Sequence, residues 1–349
     1  MDTTLRRAVL SPSLVRRLAE VDEFKGRWQA LRNLVPDRLT SLQRIATIES
    51  VASSTRIEGV TLSDDEVHTL LRGVTTHGLQ TRDEQEVAGY AAVMERIFQS
   101  WQALELTENH ILQLHRVLLT HSTADAAHRG TYKTRPNSIE AVAADGRSLG
   151  VLLTTTSPLE TPHAMERLVT DTRATLAADE HHPILVIGAF VARLLAIHPF
   201  QDGNGRLSRA LTTLLLLRSG YLYAPYASLE RVVEHNKDAY YERLRRAQTT
   251  WNDAAPDLAA WLGFFVDCLV EQKNVLLHRL ERERLLKPMA PLSAAILALA
   301  LERGRVTVRD VVASAGANRN TVKLHVQQLV SAGQLVPHGR GRGTWYERA

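Results

Sequence analysis

The feature that most constrains this chain is the run His198-Pro199-Phe200-Gln201-Asp202-Gly203-Asn204-Gly205-Arg206-Leu207-Ser208-Arg209, set between two apolar segments. Ile184 to Ile197 leads into it and Leu207 to Leu217 leads out of it. Segments of that length and apolarity read as core helices. The turn between them holds an imidazole, a carboxylate, side-chain amides, two glycines and two guanidiniums. That inventory suits a bound polyphosphate.

Gly203 and Gly205 have no Cβ, so their backbone N–H groups can approach an anion and adopt positive φ. Asn204 is expected to cap a helix starting near Arg206, whose free N–H groups and positive end would face a phosphate. Arg206 and Arg209, three apart, share one helix face. Leu207, Leu211, Leu214 and Leu215 form a separate stripe for the core. Two planar guanidiniums suit phosphate oxygens. Asp202 is the acid of the turn, and a hard carboxylate near phosphates is the usual ligand of Mg2+. His198 has the side chain whose ordinary pKa allows proton transfer near neutrality. A lone His after a helix is usually structural, and Asp-Gly-Asn-Gly alone is an ordinary turn. Their fixed spacing in one string is what carries weight. No Walker-type loop, His-Glu-x-x-His or paired Cys ligand set competes with it.

The string resembles, at every position, the signature of the Fic family of nucleotidyl transferases, His-Pro-Phe-x-Asp/Glu-Gly-Asn-Gly-Arg-x-x-Arg. The resemblance implies transfer of AMP from ATP to a Ser, Thr or Tyr hydroxyl of a target protein or of the chain itself. By it, His198 deprotonates the hydroxyl and Asp202 holds Mg2+ on the α- and β-phosphates. Asn204 and the backbone N–H groups of Gly203 and Gly205 take the α-phosphate. Arg206 takes the β-phosphate, Arg209 the γ-phosphate, and Phe200 turns inward to fix the loop. The related Doc kinases carry Lys where this chain has Gly205, which argues against a kinase.

A second pattern lies upstream. Ile45, Ile48, Val51, Ala52 and Thr55 repeat at helical spacing, with Gly59 as a C-cap. Glu58 falls at that helix's end, where an acid opposes the helix dipole by about 0.3–1 kcal/mol unless a cation compensates. Ser54-x-x-x-Glu58-Gly59 matches the inhibitory motif of Fic proteins in the class where it precedes the core. That implies an Arg209–Glu58 ion pair which withdraws the guanidinium from the γ-phosphate. Two further features follow the family. Ile139–Ala143 and Ser148–Leu153 flank Asp145-Gly146, a hairpin signal, where Fic proteins have a flap that docks the target as an added strand. Tyr240-Tyr241 corresponds to the pair bordering the adenine and ribose pocket. Gln248 stands where the family often has Asn, which leaves one adenine-side hydrogen bond open.

The composition suits a globular protein, with 44% hydrophobic and 23% charged residues. The single Cys268 excludes a disulfide framework and fits a reducing, cytoplasmic setting. Arg193 interrupts the longest apolar run, so no membrane span is expected, and residues 1–20 lack a secretory h-region. His181-His182 reads as the end of a loop before Pro183, not as a metal pair. The net charge of +4 is uneven: from Pro288 onward eight Lys and Arg face three Asp and Glu.

The tail reads as helix Pro291–Glu302, a short strand Val306-Thr307-Val308, helix Arg309–Ala315, a turn, and helix Asn320–Ala332. Leu335-Val336 and Thr344-Trp345-Tyr346 then flank Gly339-Arg340-Gly341-Arg342-Gly343. This order resembles a winged helix-turn-helix, with Arg319, Lys323, Arg340 and Arg342 placed to neutralise DNA phosphates. The expected architecture is mainly α: an N-terminal helical region over 1–104 carrying the inhibitory motif, a Fic catalytic core over 105–287 with its β-hairpin flap, and a winged-helix domain over 288–349. The expected function is an autoinhibited protein adenylyltransferase using ATP and Mg2+. The alternatives are a DNA-binding regulator whose core senses nucleotide, and a Fic enzyme that uses another nucleotide or removes AMP. A homodimer is also compatible.

Overall fold

A computed structural model of the chain describes residues 5–6, 11–32, 36–73, 78–142, 148–250, 257–285, 290–331, 334–339 and 341–348. The chain divides into two compact units, Met1–Leu276 and Leu277–Ala349, the division falling inside a long helix.

The first unit is helical apart from one hairpin. In order it comprises α1 Pro12–Arg32, α2 Pro36–Ile57, α3 Asp64–Gly73, α4 Arg82–Ser100, α5 Glu108–Leu118, β1 Ser138–Val142 and β2 Ser148–Thr154. It continues with α6 Thr161–Ala178, α7 Pro183–Ile197, α8 Asn204–Arg218, α9 Leu229–His235, α10 Lys237–Thr249 and, as far as Leu276, α11 Ala259–Leu285. Local sequence explains the ends. Thr81 and Glu84 form a capping box at α4, and Thr107 caps α5. Pro183 opens α7, where its missing N–H costs nothing, and the His182 ring accepts the Ile184 N–H at 3.3 Å. α2 stops at Ile57, and Gly59 follows at φ 106.

The centre of this unit is α7 and α8. Along α7 every residue except Pro183 and Arg193 is buried. α8 departs from the expected single apolar stripe: Asn204 and all residues from Arg206 to Leu217 are buried. α2, α4, α5 and α7 pack around it. Ser208 and Thr212 satisfy their hydroxyls on backbone carbonyls one turn earlier, Gly205 and Ser208. Two arginines on a helix enclosed on all sides require acidic partners close by.

The hairpin pairs β1 with β2 antiparallel, Ser138 opposite Thr154 and Val142 opposite Ser148, with two register irregularities between. The Asp145-Gly146 turn lies outside the described residues.

The second unit holds α12 Pro291–Arg303, α13 Val308–Ala315, α14 Arg319–Ser331, β3 Leu335–His338 and β4 Trp345–Arg348. Its core gathers Ile296, Ala300, Val306, Val311, Val322, Val326, Leu329 and Leu335. The expected strand over Val306–Val308 is corrected. Val306 alone pairs, bridging to Tyr346, because Thr307 and Asp310 form a capping box that starts α13 at once. Arg340 and the side chain of Arg342 lie outside the described residues, as do Lys287 and Pro288. Among the described residues no helix is long and apolar enough to cross a membrane.

Candidate active site

The turn between α7 and α8 begins with His198, which ends α7 in the left-handed region at φ 51, ψ 61. Its backbone N–H still reaches the Leu194 carbonyl at 2.9 Å. The ring Nδ1 lies 3.3 Å from the Leu195 carbonyl. A carbonyl only accepts, so Nδ1 carries the proton and Nε2 keeps its lone pair. Desolvation of the partly covered ring, and to a lesser extent the Lys133 charge, push the His198 pKa down to about 4; the hydrogen bond to the Leu195 carbonyl opposes this most, and Glu58 and Asp202 less. The imidazole is therefore a neutral base at physiological pH.

Phe200 is fully buried and stacks on His115 at 3.8 Å between centroids. His115 accepts the Gly130 N–H at Nδ1 (2.9 Å), so its Nε2 donates to the Asp202 carbonyl at 3.0 Å. One imidazole thus supports the turn from beneath without titrating near neutrality, since burial lowers its pKa to about 4.

The expected capping role of Asn204 is corrected. Gly203, at φ 80, is the N-cap, and Asn204 is the first residue of α8. Its amide faces back along the chain, accepting the Phe200 N–H at 2.9 Å and donating to the Phe200 carbonyl at 2.8 Å. The reading of Gly205 is corrected too. Only Gly203 has positive φ; Gly205 lies within the first turn of α8, and a Cβ there would stand 2.1 Å from Glu58 Oε1. The absent side chain makes room for a carboxylate.

That carboxylate also meets Arg209. The guanidinium donates from Nη2 to Glu58 Oε1 at 2.7 Å and to the Ser54 carbonyl at 2.8 Å, and from Nε to Ser54 Oγ at 2.9 Å. Burial opposes the Arg209 charge, but Glu58 above all keeps its pKa raised. Glu58 thus stands where an external anion would sit, at the N-terminus of a helix and against a buried guanidinium. The end of α2 is fixed by a neighbour outside the motif. Arg56 grips Glu234 of α9 through Nε (2.6 Å) and Nη2 (3.0 Å), and Asp64 of α3 through Nη1 (3.0 Å). Asp64 also pairs with Arg231.

Arg206 is buried between Asp202 (2.9 Å) and Glu86 of α4 (2.8 Å), and its Nε has no partner among the described residues. Burial works against the Asp202 charge. Arg206, the Gly203 N–H and Arg82 outweigh it and hold this carboxylate below its usual range. No cluster of three metal-ligating side chains occurs among the described residues. A cation at Asp202 would have to share it with ligands brought by a nucleotide.

Tyr240 is buried and Tyr241 is 42% exposed. Tyr240 lines a small cavity beside Arg209, with Val191, Trp261 and Cys268. Gln248 is buried, its Nε2 without a partner among the described residues.

Sequence reasoning missed His115, Glu86, Lys133, Asn137 and Thr155. Lys133 Nζ donates to the Ile197 carbonyl at 3.0 Å, and Asn137 Nδ2 to the Phe200 carbonyl at 2.9 Å. The conspicuous Arg129-Gly130-Thr131-Tyr132-Lys133 stretch was the available signal.

Two apolar helices thus meet at a turn where the carboxylate of Glu58, from the end of α2, lies at a helix start and on a buried guanidinium, with a neutral imidazole at the other end of the turn. The Fic/DOC family model matches residues 105–216, and the chain carries a Fic domain. It is 27% identical over 255 residues to the protein adenylyltransferase Fic of Drosophila willistoni, covering 72% of this chain and 46% of that protein. The chain thus spans about half the length of the curated relatives it matches. Among solved structures, a Fic family protein from Desulfovibrio desulfuricans G20 superposes with a TM-score of 0.72 at 22% identity, covering 98% of this chain and 97% of that one. A Fic domain-containing signaling protein from Bacteroides thetaiotaomicron gives 0.61 at 26% identity, covering 73% of this chain and 94% of that one.

Proposed function

We propose that this protein transfers AMP from ATP to a Ser, Thr or Tyr hydroxyl, and that Glu58 holds the activity in check. The observation that carries the reading is the Glu58 carboxylate itself. It sits against Gly205 and on Arg209, as a phosphate oxygen would, at the end of the same turn that begins with an imidazole whose Nε2 is free to act as a base. In the reaction the target hydroxyl loses its proton to His198 Nε2 and its oxygen bonds to the α-phosphorus. The bond from that phosphorus to the β-bridging oxygen breaks, and pyrophosphate leaves. Arg206, with an unused Nε, and Arg209, once released, would take the charge of the outer phosphates, while the N–H groups at the start of α8 take that of the α-phosphate. Tyr240, Tyr241 and the unpaired Gln248 amide are the candidates for the adenosine end. Mg2+, when bound, would neutralise phosphate charge, and Asp202 is the carboxylate of the turn that would hold it. Incubating the full chain with labelled ATP, in native, Glu58→Gly and His198→Ala forms, tests the reading. Label that does not depend on His198 would sink it.

The base assignment has a pH signature. The His198 pKa is lowered, so the reactive neutral form is complete above it and is lost as pH falls towards about 4. In Glu58→Gly a charge that raises the His198 pKa is gone, so the acid limb of kcat/KM, which reports free-enzyme groups, is expected no higher than about pH 4. An ordinary histidine near 6.5 would place it there instead.

A second reading has its own observation. The exposed positions of α14 include Arg319, Asn320, Lys323, Gln327 and Gln328, with no acid on that helix. Asp310 and Glu347 are meanwhile tied up by Thr307 and His338. The second unit is then a winged helix that places α14 on DNA, with the Fic domain sensing nucleotide. Full-length protein should bind random duplex, and replacing Arg319 and Lys323 by Ala should lower the salt slope by about 2. No binding at low salt removes this reading.

A further inference from the structure

Four consecutive carbonyls of the candidate catalytic turn are held by two residues of another segment. Lys133 donates from Nζ to Ile197 O at 3.0 Å and from its backbone N–H to Pro199 O at 2.8 Å. Asn137 donates from Nδ2 to His198 O at 3.3 Å and to Phe200 O at 2.9 Å. The two are themselves joined: Lys133 Nζ also donates to Asn137 Oδ1 (2.7 Å) and to Thr155 Oγ1 (2.8 Å), so all three ammonium protons are used. Thr155 in turn donates to Asn137, whose backbone carbonyl and Oδ1 are 2.8 and 2.6 Å away. Asn137 immediately precedes β1 and Thr155 immediately follows β2, so the two roots of the hairpin and the turn share one hydrogen-bond network.

We propose that Lys133 and Asn137 are positioning residues for His198, clamping its turn to the roots of the hairpin so that the imidazole and the hairpin move as one piece. Two observations ask for such a clamp. His198 is a non-glycine residue at φ 51, a conformation that persists only where the surroundings over-determine it. Lys133 is 3% exposed with three neutral acceptors, and no carboxylate is paired with it among the described residues. Enclosing a lone ammonium is unfavourable, and burial has pushed its pKa down to about 8. A fold seeking stability alone would put an apolar side chain there. The charge instead stands beside the ring that must stay unprotonated, where it adds to desolvation in lowering the His198 pKa, while the hydrogen bond to the Leu195 carbonyl, and after it Glu58 and Asp202, oppose it.

The inference rests on the adenylyl-transfer reading for its purpose, but its geometry can be tested without any reaction. Hydrogen exchange of full-length Asn137→Ala and Lys133→Met is followed by mass spectrometry and compared with the native chain. Exchange in peptides spanning 198–205 is expected to quicken about tenfold, the amount one net hydrogen bond is worth, while α4 exchanges as before. In the Glu58→Gly background the same substitutions should lower kcat about tenfold or more and leave the KM for ATP within about twofold. Unchanged exchange at the turn overturns the clamp, as does an equal rise over α4, which would mean general loosening. If the Glu58→Gly protein transfers nothing, the transfer reading fails while the exchange result still decides this one.

Discussion

Glu58→Gly should raise self-modification from ATP by about a hundredfold, the scale on which one charged transition-state contact is gained or lost. In the native chain the Arg209 guanidinium spends its Nη2 and Nε donors on Glu58 and Ser54. A γ-phosphate brings more charge than a carboxylate, yet it must displace a partner already in place at no entropic cost. Removing the carboxylate removes the competitor and leaves the helix where it is. Arg56 keeps its two bonds to Glu234 and its bond to Asp64, so α2 stays anchored. Fold stability should fall even so, by about 3–5 kcal/mol if Arg209 stays unpaired, because a buried charge loses its partner. ATP should return most of that loss. Thermal melts with and without ATP, beside incorporation of label, make the check. A melt that ATP does not move, together with unchanged labelling, would mean that Glu58 does not compete with nucleotide.

The parts of this site that could be read in the sequence are those whose chemistry is local. His198 to Arg209 occupy one continuous string, so the spacing itself brings imidazole, carboxylate and guanidiniums together. Glu58 could be suspected because an acid at a helix end needs a cation, and the family resemblance supplied which one. The rest was hidden for identifiable reasons. Lys133 and Asn137 act on backbone carbonyls, which are the same at every residue and leave no trace in side-chain pattern. α8 carries Arg, Ser and Thr between its leucines and so reads as half-exposed, yet tertiary neighbours cover it on every side. An asparagine before a helix most commonly caps it, and Asn204 reads that way in the sequence. The glycine before it, free to take φ 80, made that job unnecessary, and its amide closed the turn on Phe200 instead. Gly205 looked like a residue chosen for its backbone, whereas the structure uses its lack of a Cβ.

His198→Ala should abolish label transfer, with a loss of about 10^3-fold in the Glu58→Gly background, within the range a general base provides. The substitution removes the imidazole but none of the turn's other supports. Phe200 remains on His115, Asn204 remains on Phe200, and Lys133 and Asn137 keep the carbonyls of residues 197 to 200, because none of those contacts uses the ring of residue 198. ATP affinity, measured by calorimetry, should therefore change little while the rate collapses. That split separates a base from a ligand-binding residue: loss of a binding contact would raise KM, and loss of a base lowers kcat. It also separates the two readings of the chain, because a nucleotide sensor needs the guanidiniums and the helix start but has no use for Nε2. A His198→Ala protein that still labels itself at the rate of its parent would leave the anion site standing and remove His198 as the base of the transfer.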